Sequence, residues 1–203
     1  MLSRRLLILF AHPALHKSRV NQLLLSSVES LSGVTINDLY ESYPNFHVNV
    51  AREQALLLEH DVIIFQHPFY WYSSPAILKQ WQDLVLEYGF AYGKNGTRLH
   101  GKLVLTAIST GGPSSAYQRS GYNYFTVREL LAPFEQTARL CGMTYLPPFV
   151  VPGVLWMQDQ AELSTYGSVY RRALAALRDH AFDLSELMKL DTLNQVVELL
   201  PAS

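Results

Sequence analysis

Three short, almost unbroken apolar runs punctuate the chain: residues 6–11 (LLILFA), 61–66 (DVIIFQ) and 103–109 (LVLTAIS). A strand with one wet face alternates apolar and polar residues. These runs do not alternate, so both faces of each must be covered, as in the centre of a parallel sheet. Ser18 is placed to cap a helix running through Asn21, Leu24, Val28 and Leu31, and Gly33 ends it. "VTINDLY" reads as another strand, "ESYPNFHVNV" as a loop before a short helix at 52–59, and Ser74 as the cap of a helix to about residue 87. A helix ending near Cys141 follows residues 114–124, a fifth strand lies near "FVVPGV", and helices are expected over 160–178 and 184–200. Strands alternating with helices predict a doubly wound α/β fold, a five-stranded parallel sheet of order 2-1-3-4-5 with helices on both faces.

The 203 residues suit one such domain, residues 1–182, followed by a C-terminal accessory helix or tail, 183–203. With 49% hydrophobic residues the core needs no disulfide or metal staple, and a net charge of −1 leaves no electrostatic footprint for nucleic acid. The single cysteine, Cys141, reads as a small buried helix residue and fits a reducing compartment. The apolar run at 6–11 is too short for a signal sequence, and no stretch approaches the ~18 apolar residues of a membrane span. The expectation is a cytoplasmic protein, one still able to dock on a membrane protein.

In a sheet of this order a ligand lies beyond the carboxyl ends of the strands, where the order reverses beside strand 1. Unusual residues stand just there. After strand 1, "AHPALHKSRVN" leads into a helix whose first turn offers unpaired N–H groups, with Ser18, Asn21, His12, Lys17 and Arg19 adding hydroxyl, amide and positive or switchable charge. That suits a phosphate; a plain helix cap among solvated basic residues is the alternative. His12 and His16 have a spacing that binds metal on a helix, but Pro13 puts them in a loop and no carboxylate pattern supports them, so no metal site is expected. After strand 3, Pro68 introduces Phe69, Tyr70, Trp71 and Tyr72. Successive side chains of extended chain point to opposite sides, so four rings cannot all enter one core. Some border the crevice as a wall for a planar heterocycle, unless they form a core cluster or a dimer contact. After strand 4, Ser109, Thr110, Gly111 and Gly112 combine hydroxyls with a backbone that a ligand can approach closely, and Tyr117 lies five residues beyond. An anion site, a planar wall and a glycine platform together describe a site for a phosphorylated flat heterocycle such as FMN.

At these residues the chain resembles the flavodoxin-like NAD(P)H:quinone oxidoreductase family. The shared wording is "AHP" with Ser18 and Asn21, "PFYWYSSPAILKQW", and "STGG" followed by Tyr117. "DLYESYPNF", "EQALLLEHDVIIFQHPFYWYS" and "LHGK" are similar to the Kef-type ancillary proteins of glutathione-gated potassium-efflux systems. The resemblance implies a homodimer binding FMN, with FAD the larger alternative, and taking hydride from NADH or NADPH for a quinone. It implies that His12, Ser18, Arg19, Val20 and Asn21 surround the phosphate and ribityl chain. Residues Pro68, Phe69, Tyr70, Trp71 and Tyr72 would line one side of the flavin ring and Ser109, Thr110, Gly111 and Gly112 the other. Tyr117 matches the family's active-site tyrosine. Asn123 stands where quinone reductases often carry histidine, and an amide cannot titrate near neutrality. A potassium-efflux antiporter is the implied membrane partner. A non-catalytic flavin-binding subunit of that antiporter is the second reading, and an electron-carrier flavodoxin, usually strongly acidic, fits a charge of −1 less well.

Overall fold

The computed structural model describes residues 2–199. Strands β1 (Leu6–Phe10), β2 (Val34–Asp38), β3 (Val62–Pro68), β4 (Leu103–Ser109), β5 (Thr144–Tyr145) and β6 (Phe149–Val151) pair in parallel in the order β2-β1-β3-β4-β5, with β6 also on β4. Every residue of β1, β3 and β4 is buried, as their unbroken apolar runs require, while the edge strand β2 is mostly half-buried. The expected order is observed, and the fifth position differs in detail. It is held by two pieces, β5 and β6, in line along β4. Two residues of β4 face three of the intervening segment, Leu146, Pro147 and Pro148. Two prolines without N–H groups cannot keep the ladder, so the strand breaks and bulges.

Alternation along each strand divides the core. Leu7, Leu9, Ile63, Phe65, Val104 and Ile108 face one side, under α3 (Val50–Glu59), α4 (Ala76–Val85) and α6 (Ala132–Leu140). Leu6, Ile8, Phe10, Val62, Ile64 and Leu105 face the other, under α1 (Arg19–Glu29) and α7 (Gln160–Arg178). Gly167 lets α7 approach α1 closely; a Cβ there would stand 3.1 Å from Leu23 Cδ2. On the first side Glu53 is wholly buried, accepting from Asn37 Nδ2 at 2.8 Å, Tyr43 Oη at 2.6 Å and Trp81 Nε1 at 2.8 Å, with Arg52 beside it. This network ties β2, α3 and α4 together.

Several local expectations are corrected. The end of the segment taken as strand and the start of the one taken as loop form α2 (Leu39–Ser42), capped by Asp38, and Asn49 starts α3 at Val50. Pro75, not Ser74, stands at the N-cap of α4, where its fixed φ of −55° sets the entry without a side-chain bond. The helix before Cys141 is two helices, α5 (Val127–Leu130) and α6, broken where Pro133 lacks an N–H. The expected helix over 184–200 is a short α8 (Leu184–Leu187) and a 3-10 turn (Leu193–Glu198), because Thr192 and Gln195 form a new capping box; Leu200 lies outside the described residues. Leu187, Leu193 and Val196 are buried in the second core, and the side-chain amide of Asn194 donates to Val150 O and accepts from Val150 N–H, both at 2.9 Å.

Candidate active site

The loops after β1, β3 and β4 meet at the carboxyl edge of the sheet, around a cavity of about 530 Å³. That volume lies within the range of small-molecule sites. Ser18 caps α1, its Oγ accepting from the Asn21 N–H at 3.2 Å and from Asn21 Nδ2 at 3.0 Å. Both bonds use the hydroxyl as acceptor, so its own proton remains for a ligand. The N–H groups of Arg19 and Val20 precede the first intrahelical bond, Gln22 N–H to Ser18 O, and point out of the helix at its positive end. Lys17, Ser18, Arg19 and Val20 all line the cavity.

His12 lines it too, but not as a charge. Its Nδ1 accepts from the Ala14 N–H at 3.0 Å, which leaves the proton on Nε2. Burial, with His16 nearby adding to it, holds the imidazole below the usual histidine range. His12 therefore offers a neutral donor near pH 7, and the positive charge comes from Lys17 and Arg19, the latter also donating to Gln160 Oε1 at 3.1 Å.

The aromatic wall is a tight turn. Ser73 N–H donates to Tyr70 O at 3.0 Å, and the two central residues, Trp71 and Tyr72, have φ of 50° and 61°. Two consecutive positive φ values define a turn that normally takes Asn-Gly, so bulky rings here carry backbone strain of ~1–3 kcal/mol each. The four rings divide, and the turn divides them, because residues 69–72 do not continue the extended chain of β3 on which alternation rests. Phe69 is buried against Tyr117 at 6.3 Å, Tyr70 stands edge-on to His12 at 6.1 Å, and Trp71 is 94% exposed. Tyr72 turns away from the 530 Å³ cavity and donates to Asn123 Oδ1 at 3.0 Å.

The sixteen expected residues are thus sorted by the fold. His12, Ser18, Arg19, Val20, Pro68, Phe69, Tyr70, Trp71, Ser109 and Gly111 surround the first cavity. Tyr72, Gly112, Tyr117 and Asn123 line a neighbouring one of about 590 Å³. Asn21 and Thr110 line neither. Asn21 is buried, its Nδ2 bridging Ser18 to Ser109 Oγ at 3.1 Å, with its Oδ1 unpartnered among the described residues. The Thr110 hydroxyl donates to Gly112 O at 2.8 Å and shapes the glycine turn from behind. Tyr117 lies over that turn; a Cβ on Gly112 would come within 3.4 Å of its ring. Burial raises the Tyr117 phenol above its ordinary value, which keeps it a neutral donor.

Val154, Leu155, Met157 and Leu163 close the first cavity from the loop after β6 and from α7. The same carboxyl-end rule, applied to "VPGVLWM", was the signal that could have found the first three. A Cβ on Gly111 would stand 3.2 Å from Leu155 Cδ1 and narrow the space. Among the described residues no three His, Cys, Asp or Glu side chains gather as a metal set.

A parallel sheet of this order, with its site at the carboxyl edge beside strand 1, defines a flavodoxin-like protein. The chain matches the Flavodoxin_2 model, a flavodoxin-like fold, over residues 4–174 and belongs to that family. It is 44% identical over 172 residues to the glutathione-regulated potassium-efflux system ancillary protein KefG of Enterobacter sp. strain 638, covering 85% of this chain and 93% of that one. General stress protein 14 of Treponema denticola, solved in complex with FMN, is 37% identical with a TM-score of 0.81, covering 85% of this chain and 99% of its own. A P. pentosaceus protein described as an NADPH-quinone reductase is 36% identical with a TM-score of 0.76, covering 83% and 96%.

The residues present fit a flavin mononucleotide. Unspent N–H donors, the Ser18 proton and two cations suit its phosphate; the absent side chain of Gly111 and the rings of the Tyr70–Ser73 turn suit a flat ring.

Proposed function

We propose that the chain is an FMN-dependent NAD(P)H:quinone oxidoreductase, working as a homodimer, that also serves as ancillary regulator of a glutathione-gated potassium-efflux antiporter. One observation carries the reading: the anion-binding end of α1 and the aromatic turn after β3 face one cavity of about 530 Å³. A bound FMN would supply the two-electron hydride chemistry between a nicotinamide and a quinone, and a single face open to both in turn would give ping-pong kinetics. The chain's own work is binding, orientation and polarisation. The first turn of α1, Ser18 and Lys17 would hold the phosphate. His12 would donate along the ribityl chain, and Ser109 with the backbone at Gly111 and Gly112 would border the ring, where N–H donors would stabilise added charge. Tyr117, kept neutral, donates to the acceptor oxygen. Asn123 holds Tyr72 and transfers no proton.

Dimerisation is supported by the exposed rings around both cavities, among them Trp71, Tyr122 and Trp156. No helix among the described residues is long and apolar enough to cross a membrane, so placement at the inner face of the cell membrane would come through the antiporter.

The deciding experiment is an absorbance spectrum of the purified protein, then NAD(P)H oxidation with a quinone. A colourless protein that takes up no added FMN sinks the proposal. Tyr117→Phe should keep FMN and lose quinone turnover by about a hundredfold to a thousandfold, the range for one polarising donor; full turnover removes that role. The second reading, a flavin-binding subunit whose turnover is incidental, is favoured by the likeness to KefG. It predicts co-purification with a detergent-solubilised antiporter that survives Tyr117→Phe.

A further inference from the structure

A third cavity, of about 580 Å³, opens on the far side of the loop that carries Tyr117. It lies between α5, the outer edge of β6, α7 and the C-terminal segment, and shares only Tyr117 with the neighbouring cavity. Asp191, Thr192 and Asn194 supply one wall, and all three lie beyond residue 174, where the family match ends. The wall is anchored: Asn194 pairs with both backbone groups of Val150, and Arg128 Nη1 donates to Leu190 O at 3.2 Å. A strand-like amide pair on one side and a guanidinium on the other keep the segment in place and the space open.

The chemistry of the lining is asymmetric. Most of the surface is apolar, from Val127, Val150 and Pro152, with hydroxyls from Thr192 and Tyr166. Into it projects Arg128, half-buried and in no ion pair among the described residues. Glu129, next along α5, is already committed to Arg119 and to the Thr126 N–H. Asp191 is exposed at the rim. A partly desolvated guanidinium with most of its N–H groups unspent, over an apolar floor, is matched by one kind of guest.

We propose that this cavity is a second binding site, separate from the flavin-type site, for a small organic carboxylate with a flat apolar body. The carboxylate pairs with the Arg128 guanidinium, and the body lies on Val127, Val150 and Pro152. A cationic group on the guest would meet Asp191 at the mouth.

Benzoate is the probe, with benzyl alcohol as its uncharged counterpart, titrated into the full-length protein and followed by backbone amide NMR. Benzoate should shift the Arg128, Thr192 and Asn194 amides saturably and bind at least tenfold more tightly than benzyl alcohol. Arg128→Gln should lose that tenfold preference. Because Arg128 also holds Leu190, a second variant, Ser114→Trp, at an exposed lining residue, fills the cavity and should abolish the shifts while its remaining spectrum stays folded. Equal binding of the two probes overturns the proposal, as do unchanged benzoate affinity in either variant and shifts confined to Ser18 and Val20. Turnover is not read, so absence of quinone reduction would leave this result standing, and its failure would leave the flavin reading untouched.

Discussion

His67 shows how one buried side chain shapes the site without touching it. It is the penultimate residue of β3, stacks on Phe134 at 5.6 Å, and donates from Nδ1 to Pro68 O at 2.9 Å, the carbonyl that also accepts from the Tyr70 N–H. Full burial pushes its pKa down to about 4, partly opposed by the bond to Pro68. An unfolded histidine takes a proton near pH 6.5, so the folded state binds fewer protons between those values. Its stability contribution is complete above pH 6.5 and is lost as pH falls from 6.5 toward 4, on the order of 3 kcal/mol. His67→Asn keeps a donor to Pro68 O and cannot titrate, so its urea stability should fall less steeply over that window than the parent's. Glu53 is the other buried residue with leverage. Glu53→Ala leaves Asn37, Tyr43 and Trp81 without their acceptor and should cost about 3–5 kcal/mol in chemical unfolding. Neither role was legible in sequence, because the burial of His67 against Phe134 and the bonds of Glu53 to Asn37, Tyr43 and Trp81 come from segments brought beside them.

Among the elements, the turn from Tyr70 to Ser73 carries most consequence. The turn, not strand alternation, gives the rings their separate destinations, but the run of four announced that something other than core lay after β3. It could not announce the positive φ values, which come from closing the chain in two residues between β3 and α4. Replacing Trp71-Tyr72 by Asn-Gly suits that backbone, so the double variant should be more stable without flavin by ~1–2 kcal/mol. It should also bind FMN more weakly, by fluorescence titration, if the rings form the wall. Equal affinity would assign them to the dimer contact. The start of α1 was readable in full from "HKSRVN", because a cap acts through its immediate neighbours. The role of Thr110 was not. Its hydroxyl is a natural ligand donor by type, and only the fold of the glycine turn directs it to Gly112 O.

For the whole molecule, the C-terminal segment decides how the sheet ends. Leu187, Leu193 and Val196 complete the second core, and Asn194 satisfies the outer edge of β6 as a further strand would. A chain stopped after residue 183 loses three buried side chains, each contributing ~1.5–3 kcal/mol, and opens that edge. It should melt well below the full chain and self-associate in sedimentation velocity. A truncated protein of unchanged melting temperature would show that the segment only lies on the surface. The sequence left it as an accessory helix or tail; its leucines were a signal of burial, but their target was a surface that no sequence window contains.

The sequence alone determined the parallel order and the edge of the sheet at which the site lies. Unbroken apolar strands, helix caps and turn residues are local, and they leave few ways to assemble the layers. Tertiary structure decided what depends on distant neighbours: that Tyr72 and Tyr117 face a second cavity, that Asn21 and Thr110 support from behind, and that two prolines divide the fifth strand. Those outcomes rest on contacts between segments up to a hundred residues apart, where the identity of a side chain says what it can bind and only packing says what it meets.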